Sequence, residues 1–212
     1  MISFQHSYAI VPSNDYFNPQ AAFPYGLTID AVKHAMCDVT RFLQRTEERF
    51  DQFMEPATFS SMISGYLVTK IGQYSETIIK NNYHNGHPDL IPIAWYPEDR
   101  IQYGPHGIEV KASKHLSSWQ GHNQEDVWLL VFCYAPPSED TSFRFTLVAG
   151  AQLTKDDWSI AERGETSRRT RTASVTASGR QKMIANCIYC DPLFTNIHLY
   201  DSAVDSHLIR WT

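Results

Sequence analysis

Apolar residues recur at helical spacing in two stretches near the start of the chain. Ile29, Val32, Ala35, Met36, Val39, Phe42 and Leu43 fall three or four apart, and Thr28 stands where an N-cap belongs. The spacing predicts a helix over about 29–53, with a charged, solvated part over 41–51. Pro56 separates it from a second predicted helix over about 59–82, striped by Met62, Ile63, Tyr66, Leu67, Ile71, Tyr74 and Ile78. Upstream, Pro12, Pro19, Pro24 and Gly26 predict an irregular arm with one short strand near 7–11.

Beyond Asn82 the period changes. Leu90-Ile91-Pro92-Ile93-Ala94-Trp95 and Ile108-Glu109-Val110-Lys111-Ala112-Ser113 read as two strands of a hairpin, joined through Pro97, Gly104, Pro105 and Gly107. Residues 119–126 read as a polar loop or short helix. The run 127–135 is almost unbroken in apolar residues, with aromatic and branched ones among them, which predicts a buried strand, and Pro136-Pro137 ends it. Residues 143–153 read as another strand, 154–158 as a helix start, 172–176 as a strand, Ser178-Gly179 as a turn and 186–190 as a short strand. Ile197, Leu199, Leu208, Ile209 and Trp211 predict a tail that docks on the body.

Helices, a hairpin, then strands with little helix between them predict an α/β (α+β) fold: a central mixed sheet flanked by helices, with a β-rich C-terminal extension. One domain is expected, with an arm and helix over 1–57, a core over 58–135 and C-terminal strands over 136–212. The apolar fraction of 42% and aromatic fraction of 13% are enough to fill such a core. No apolar run reaches the roughly 20 residues of a membrane span, and Met1-Ile2-Ser3-Phe4-Gln5-His6 lacks the features of a signal peptide. The expected compartment is the cytoplasm. Four irregularly spaced cysteines argue against a disulfide scaffold.

Charge is unevenly distributed. The chain carries −5 overall, but residues 163–182 hold five arginines and one lysine against the single acid Glu165. An acidic body with one concentrated basic segment suits a protein that holds a polyanion locally. Arg163, Arg168, Arg169, Arg171, Arg180 and Lys182 are the candidate DNA contacts there, standing among hydroxyl residues that also satisfy phosphate oxygens. Ser113, Lys114, Gln120, His122 and Asn123 are further candidates. Trp119 has a core position as its alternative.

The candidate chemistry lies over 87–114. Alternation along a strand points Glu109 and Lys111 the same way and Val110 into the core. A hairpin would bring Asp89 beside them. Two carboxylates with an ammonium alongside can hold a divalent metal and a water, the equipment for phosphodiester hydrolysis.

Pro88-Asp89, a gap, then Glu109-Val110-Lys111 resembles the signature of the PD-(D/E)xK nuclease superfamily, and the resemblance covers roughly 59–135. Within it the chain looks most like a Type II restriction endonuclease. The resemblance implies a restriction-endonuclease-like fold, a prokaryotic source, and Mg²⁺ held by Asp89, Glu109 and the Val110 carbonyl. It implies that Lys111 orients the attacking water and stabilises developing negative charge, leaving 5′-phosphate ends on double-stranded DNA. A homodimer is expected, because symmetric cutting needs two sites. Many relatives add an acid from the preceding helix, for which Glu76 is the candidate, with Glu55 and Glu47 as weaker ones. The alternatives are a repair, junction-resolving or modified-DNA nuclease of the same superfamily, or a DNA-binding module that does not cut.

Other signals are set aside. Cys187-x-x-Cys190 with His198 lacks the clustered fourth ligand of a structural zinc site and reads as strand packing. His84 and His87 flank Gly86 and read as turn residues, with a place behind the metal ligands or the binding of a soft metal as the alternatives. No Gly-rich phosphate loop points to a nucleotide cofactor.

Overall fold

The computed structural model describes residues 8–46, 49–121, 123–138, 141–160 and 172–193. Helix α1 spans Ile29–Arg45, and the Thr28 hydroxyl caps it by accepting from the Ala31 N–H. It ends earlier than its apolar spacing predicts, where Thr46 turns extended. A single turn, α2 (Phe50–Phe53), precedes α3 (Pro56–Tyr74), which carries its proline at the first helical position.

The second helix also stops short of the prediction. The Ser75 hydroxyl accepts from the N–H groups of Thr77 and Ile78 and so offers the backbone a partner outside the helix. The β-branched run Thr77-Ile78-Ile79 then favours extended backbone. Ile78–Lys80 becomes strand β1 and pairs antiparallel with β2 (Leu90–Pro92). The predicted hairpin is therefore narrow: β2 meets β3 (Ile108–Ser113) through the Leu90–Ile108 pair.

From β3 the chain crosses over, through the two-residue β4 (Gln120–Gly121), into β5 (Val127–Ala135), which lies parallel to β3. β6 (Arg144–Leu153) returns antiparallel to β5. The expected helix after Leu153 is one 3-10 turn, closed by reciprocal hydrogen bonds between Thr154 and Asp157. β7 (Trp158–Ile160) follows. β8 (Ala173–Val175) leads into α4 (Ala177–Ala185), so Ser178-Gly179 lies inside a helix rather than in a turn. Gly179 is required there by close approach, since a Cβ would stand 2.9 Å from the Asp157 carbonyl oxygen. β9 (Cys187–Cys190) completes the main sheet, whose order is β1-β2-β3-β5-β6-β9. β4, β8 and β7 form a small second sheet.

The fold is thus mixed α/β, as the element order predicts. The C-terminal strands divide: β6 and β9 extend the main sheet, while β7 and β8 build the small one.

Two cores lie on opposite faces of the main sheet. Leu130 and Phe132 of β5 face α1 and α3, while Leu129, Val131 and Cys133 face the small sheet and α4. Burial on both faces explains why β5 reads as a continuous apolar run. Cys133, Cys187 and Cys190 are free thiols in the second core. The same alternation governs β3. Ile108 and Val110 pack under the helices, so Glu109 and Lys111 emerge on the opposite face, beside the second core. No helix among the described residues is long and apolar enough to cross a membrane.

Candidate active site

Asp89 precedes β2, and its carboxylate turns toward β3, where Oδ2 accepts from the Val110 N–H at 2.9 Å. This bond sets Asp89 against the strand that carries Glu109 and Lys111. Gly107 makes the approach possible. Its φ is +147°, and a Cβ there would lie 2.3 Å from the Leu90 carbonyl oxygen and 2.6 Å from the Pro88 ring. On the other side, the Asn81 side chain is buried and fully hydrogen-bonded. Its amide donates to the carbonyls of Pro88 (3.0 Å) and Ile101 (2.8 Å), and its oxygen accepts from the N–H groups of Tyr83 and Ile101. The Asp89 carbonyl in turn accepts from the Asn81 N–H. The Pro88-Asp89 pair is held from two directions.

Glu109 is 8% exposed and contacts two cations. Lys111 Nζ donates to Oε1, and His87 Nδ1 lies 2.9 Å from Oε2. The far nitrogen of His87, Nε2, lies 2.9 Å from Glu125 Oε2. The chain of contacts therefore runs Lys111, Glu109, His87, Glu125, with Asp89 beside it.

The electrostatics follow from this packing. Burial would lower the His87 pKa, but hydrogen bonds to Glu109 and Glu125 outweigh it and raise it to about 10, so the imidazole is a cation at neutral pH. Burial likewise works against ionised Glu109, yet His87 and Lys111 hold its carboxyl well below the usual range. Asp89 is pushed up to about 7, first by burial and then by the neighbouring Glu109 charge. The Val110 N–H, Lys111 and His87 offset this only in part. Two adjacent acids thus titrate far apart, the pattern expected where carboxylates crowd a single site.

Sequence reasoning places Asp89, Glu109 and Lys111 together, and the structure does bring them together. It overlooks Glu125 and sets His87 aside as a turn residue. Glu125 arrives through the parallel pairing of β3 with β5: Glu109 lies opposite Leu129, so the residues just before Val127 return to the level of the site. That register is invisible without knowing that the two strands are parallel. Glu76 is not on the helix where it was expected. α3 ends at Tyr74, and Glu76 sits exposed on the bend before β1. Glu55 is exposed ahead of α3, and Glu47 lies outside the described residues.

Of the expected DNA contacts that are described, Ser113 and Gln120 line one cleft with Lys111. Lys114, Gln120 and Asn123 are exposed, and the Ser113 hydroxyl bonds to the backbone of His115. Trp119 is a core residue, 2% exposed, with its indole N–H on the His115 carbonyl. Arg180 Nε donates to the Leu116 carbonyl, and Lys182 Nζ lies 2.7 Å from the buried Asp157 carboxylate. His122, Arg163, Arg168, Arg169 and Arg171 lie outside the described residues.

A cleft of about 540 Å³ opens at Lys111 and is lined by Ser113, His115, Ser117, Ser118 and Gln120. Among the described residues, no group of three or more His, Cys, Asp or Glu side chains is arranged to hold a metal ion. Comparison with protein-family models, curated proteins and solved structures finds no match.

Proposed function

We propose that this protein is a Mg²⁺-dependent endonuclease that hydrolyses double-stranded DNA at a specific sequence, acting as a two-fold dimer and leaving 5′-phosphate ends. One observation carries the reading. Asp89, at the entry to β2, lies close to Glu109 and Lys111 of β3 and is hydrogen-bonded to the residue between them.

The donor chemistry fits a hard cation. Asp89 and Glu109 offer carboxylate oxygens, which Mg²⁺ prefers. The Glu109 charge works to raise Asp89, a repulsion that a bound divalent cation would relieve. Both Glu109 oxygens contact Lys111 and His87, so taking up a metal requires one of those cations to move aside. Asp89 and Glu109 would hold the metal, with the Val110 carbonyl as the third protein ligand. When bound, Mg²⁺ supplies Lewis acidity to the phosphodiester. Lys111, freed from Glu109, orients the attacking water and meets negative charge as it develops on the phosphate. His87, held by Glu125, keeps Glu109 ionised and fixes its direction. The hydroxyls and amide lining the cleft at Lys111 suit phosphate oxygens along the bound strand.

Digestion of phage DNA with the purified protein tests the reading. Discrete fragments that require Mg²⁺ are expected. A smear would replace sequence specificity with general cutting, and intact DNA at every metal concentration would remove the enzymatic claim.

A further inference from the structure

A second cleft, of about 490 Å³, lies between residues 82–85 and 100–103. That volume is within the range of small-ligand pockets, roughly 300–1,000 Å³. Two tyrosines line it: Tyr103 is largely in solvent, 73% exposed, and Tyr83 is partly so, 40% exposed. Asn82, Asn85 and Gln102 add side-chain amides, and Arg100 adds a guanidinium.

The walls are fastened to each other and to the catalytic hairpin. Asn82 N–H donates to the Asp99 carbonyl, His87 N–H to the Gln102 carbonyl, and Gly104 N–H to the His87 carbonyl. Asn81 bonds both Tyr83 and Ile101. The Tyr103 ring centroid lies 6.5 Å from that of His87, whose imidazole contacts Glu109. The aromatic surfaces are therefore held on backbone that is continuous with the Pro88-Asp89 pair.

We infer that this cleft is a nucleobase pocket, which takes one unstacked base of the DNA next to the phosphodiester presented to Asp89 and Glu109. Exposed tyrosine faces stack on a base, and amide side chains carry the donors and acceptors that match base edges. Arg100 pairs with Glu98 at 2.7 Å, but both side chains are more than half exposed, so the pair is weak and the guanidinium can exchange onto the adjoining phosphate. An extrahelical base costs least to capture when it is already unpaired, so the pocket favours DNA with a bulged or displaced nucleotide. The inference rests on the nuclease reading for its substrate but has its own binding signature.

The test is fluorescence anisotropy with a labelled duplex carrying a single-nucleotide bulge and the same duplex fully paired, with Ca²⁺ in place of Mg²⁺. The bulged duplex is expected to bind tighter. Tyr103→Ala is expected to weaken its binding about fivefold or more, as loss of one stacking surface does, with little change for the paired duplex. Tyr103→Phe keeps the ring and should restore the preference. Equal affinity for both duplexes, or equal loss of both in Tyr103→Ala, overturns the pocket. Cleavage of paired DNA by the wild type without bulge preference would leave the nuclease reading intact and remove this one. A bulge preference that depends on Tyr103, with no cleavage in Mg²⁺, would do the reverse. Failure to bind either duplex would remove both.

Discussion

Asn81 and His87 shape the site from outside the acid-acid-lysine set. The Asn81 side chain makes four hydrogen bonds from a buried position and ties Pro88, Tyr83 and Ile101 together. Asn81→Ala leaves those backbone groups without partners and is expected to destabilise the fold by about 2–4 kcal/mol, read by urea denaturation. A change within experimental error would mean that water replaces the amide. His87 gives a pH signature. Its pKa rises from 6.5 to about 10 on folding, so its stabilising effect is complete below pH 6.5 and is lost as pH rises toward 10. The melting temperature should fall over that window, and His87→Gln should flatten this part of the profile. An unchanged slope in the variant would place the titration elsewhere. Asp89, Glu109 and Lys111 are legible in sequence because their types and spacing lie along short apolar runs. His87 and Glu125 are not, because imidazole beside glycine is common in turns and an acid in a polar loop carries no mark.

Among the elements, those with a clear period or a bounded apolar run follow from sequence, the short strands β3, β8 and β9 included, while β1 and α4 do not. α1 and β5 are predicted from spacing and composition, with β5 matched at both ends. β1 is missed because Ile78 continues the helical stripe of α3, and the stripe alone cannot register that Ser75 and a β-branched run end the helix. α4 is missed because Ser178-Gly179 resembles a turn, whereas Gly179 serves close packing on Asp157. The junction between β2 and β3 gives the element-scale prediction. Gly107→Ala meets backbone oxygen as well as an unfavourable φ, and should cost at least about 1–3 kcal/mol. It should also displace Asp89 from Val110, visible as a shift of the Val110 amide resonance. If both stability and resonance hold, the glycine is not what permits the close approach.

Across the whole molecule, the main sheet separates two cores. One face packs under helices, while the other carries a smaller core and seats the buried Glu109 and half-buried Lys111 of β3 beside it. The order of elements in the sequence predicts a mixed sheet flanked by helices with a β-rich C-terminal extension; the two-faced layout needs the strand order. In the proposed nuclease, target choice belongs to this scale, since the site by itself would act on any phosphodiester brought to it. Replacing Arg168, Arg169 and Arg171 together with Ala should weaken DNA affinity and reduce its dependence on salt, measured by anisotropy across a salt series. Unaltered affinity would place the DNA surface elsewhere on the acidic body. The central claim is tested most directly by single-turnover cleavage of plasmid DNA, comparing wild type with Lys111→Ala at equal DNA occupancy in Mg²⁺. The predicted result is linear product from the wild type and a rate reduced by at least about 10²-fold in the variant with binding retained; equal rates would show that Lys111, and the site built around it, does not cut DNA.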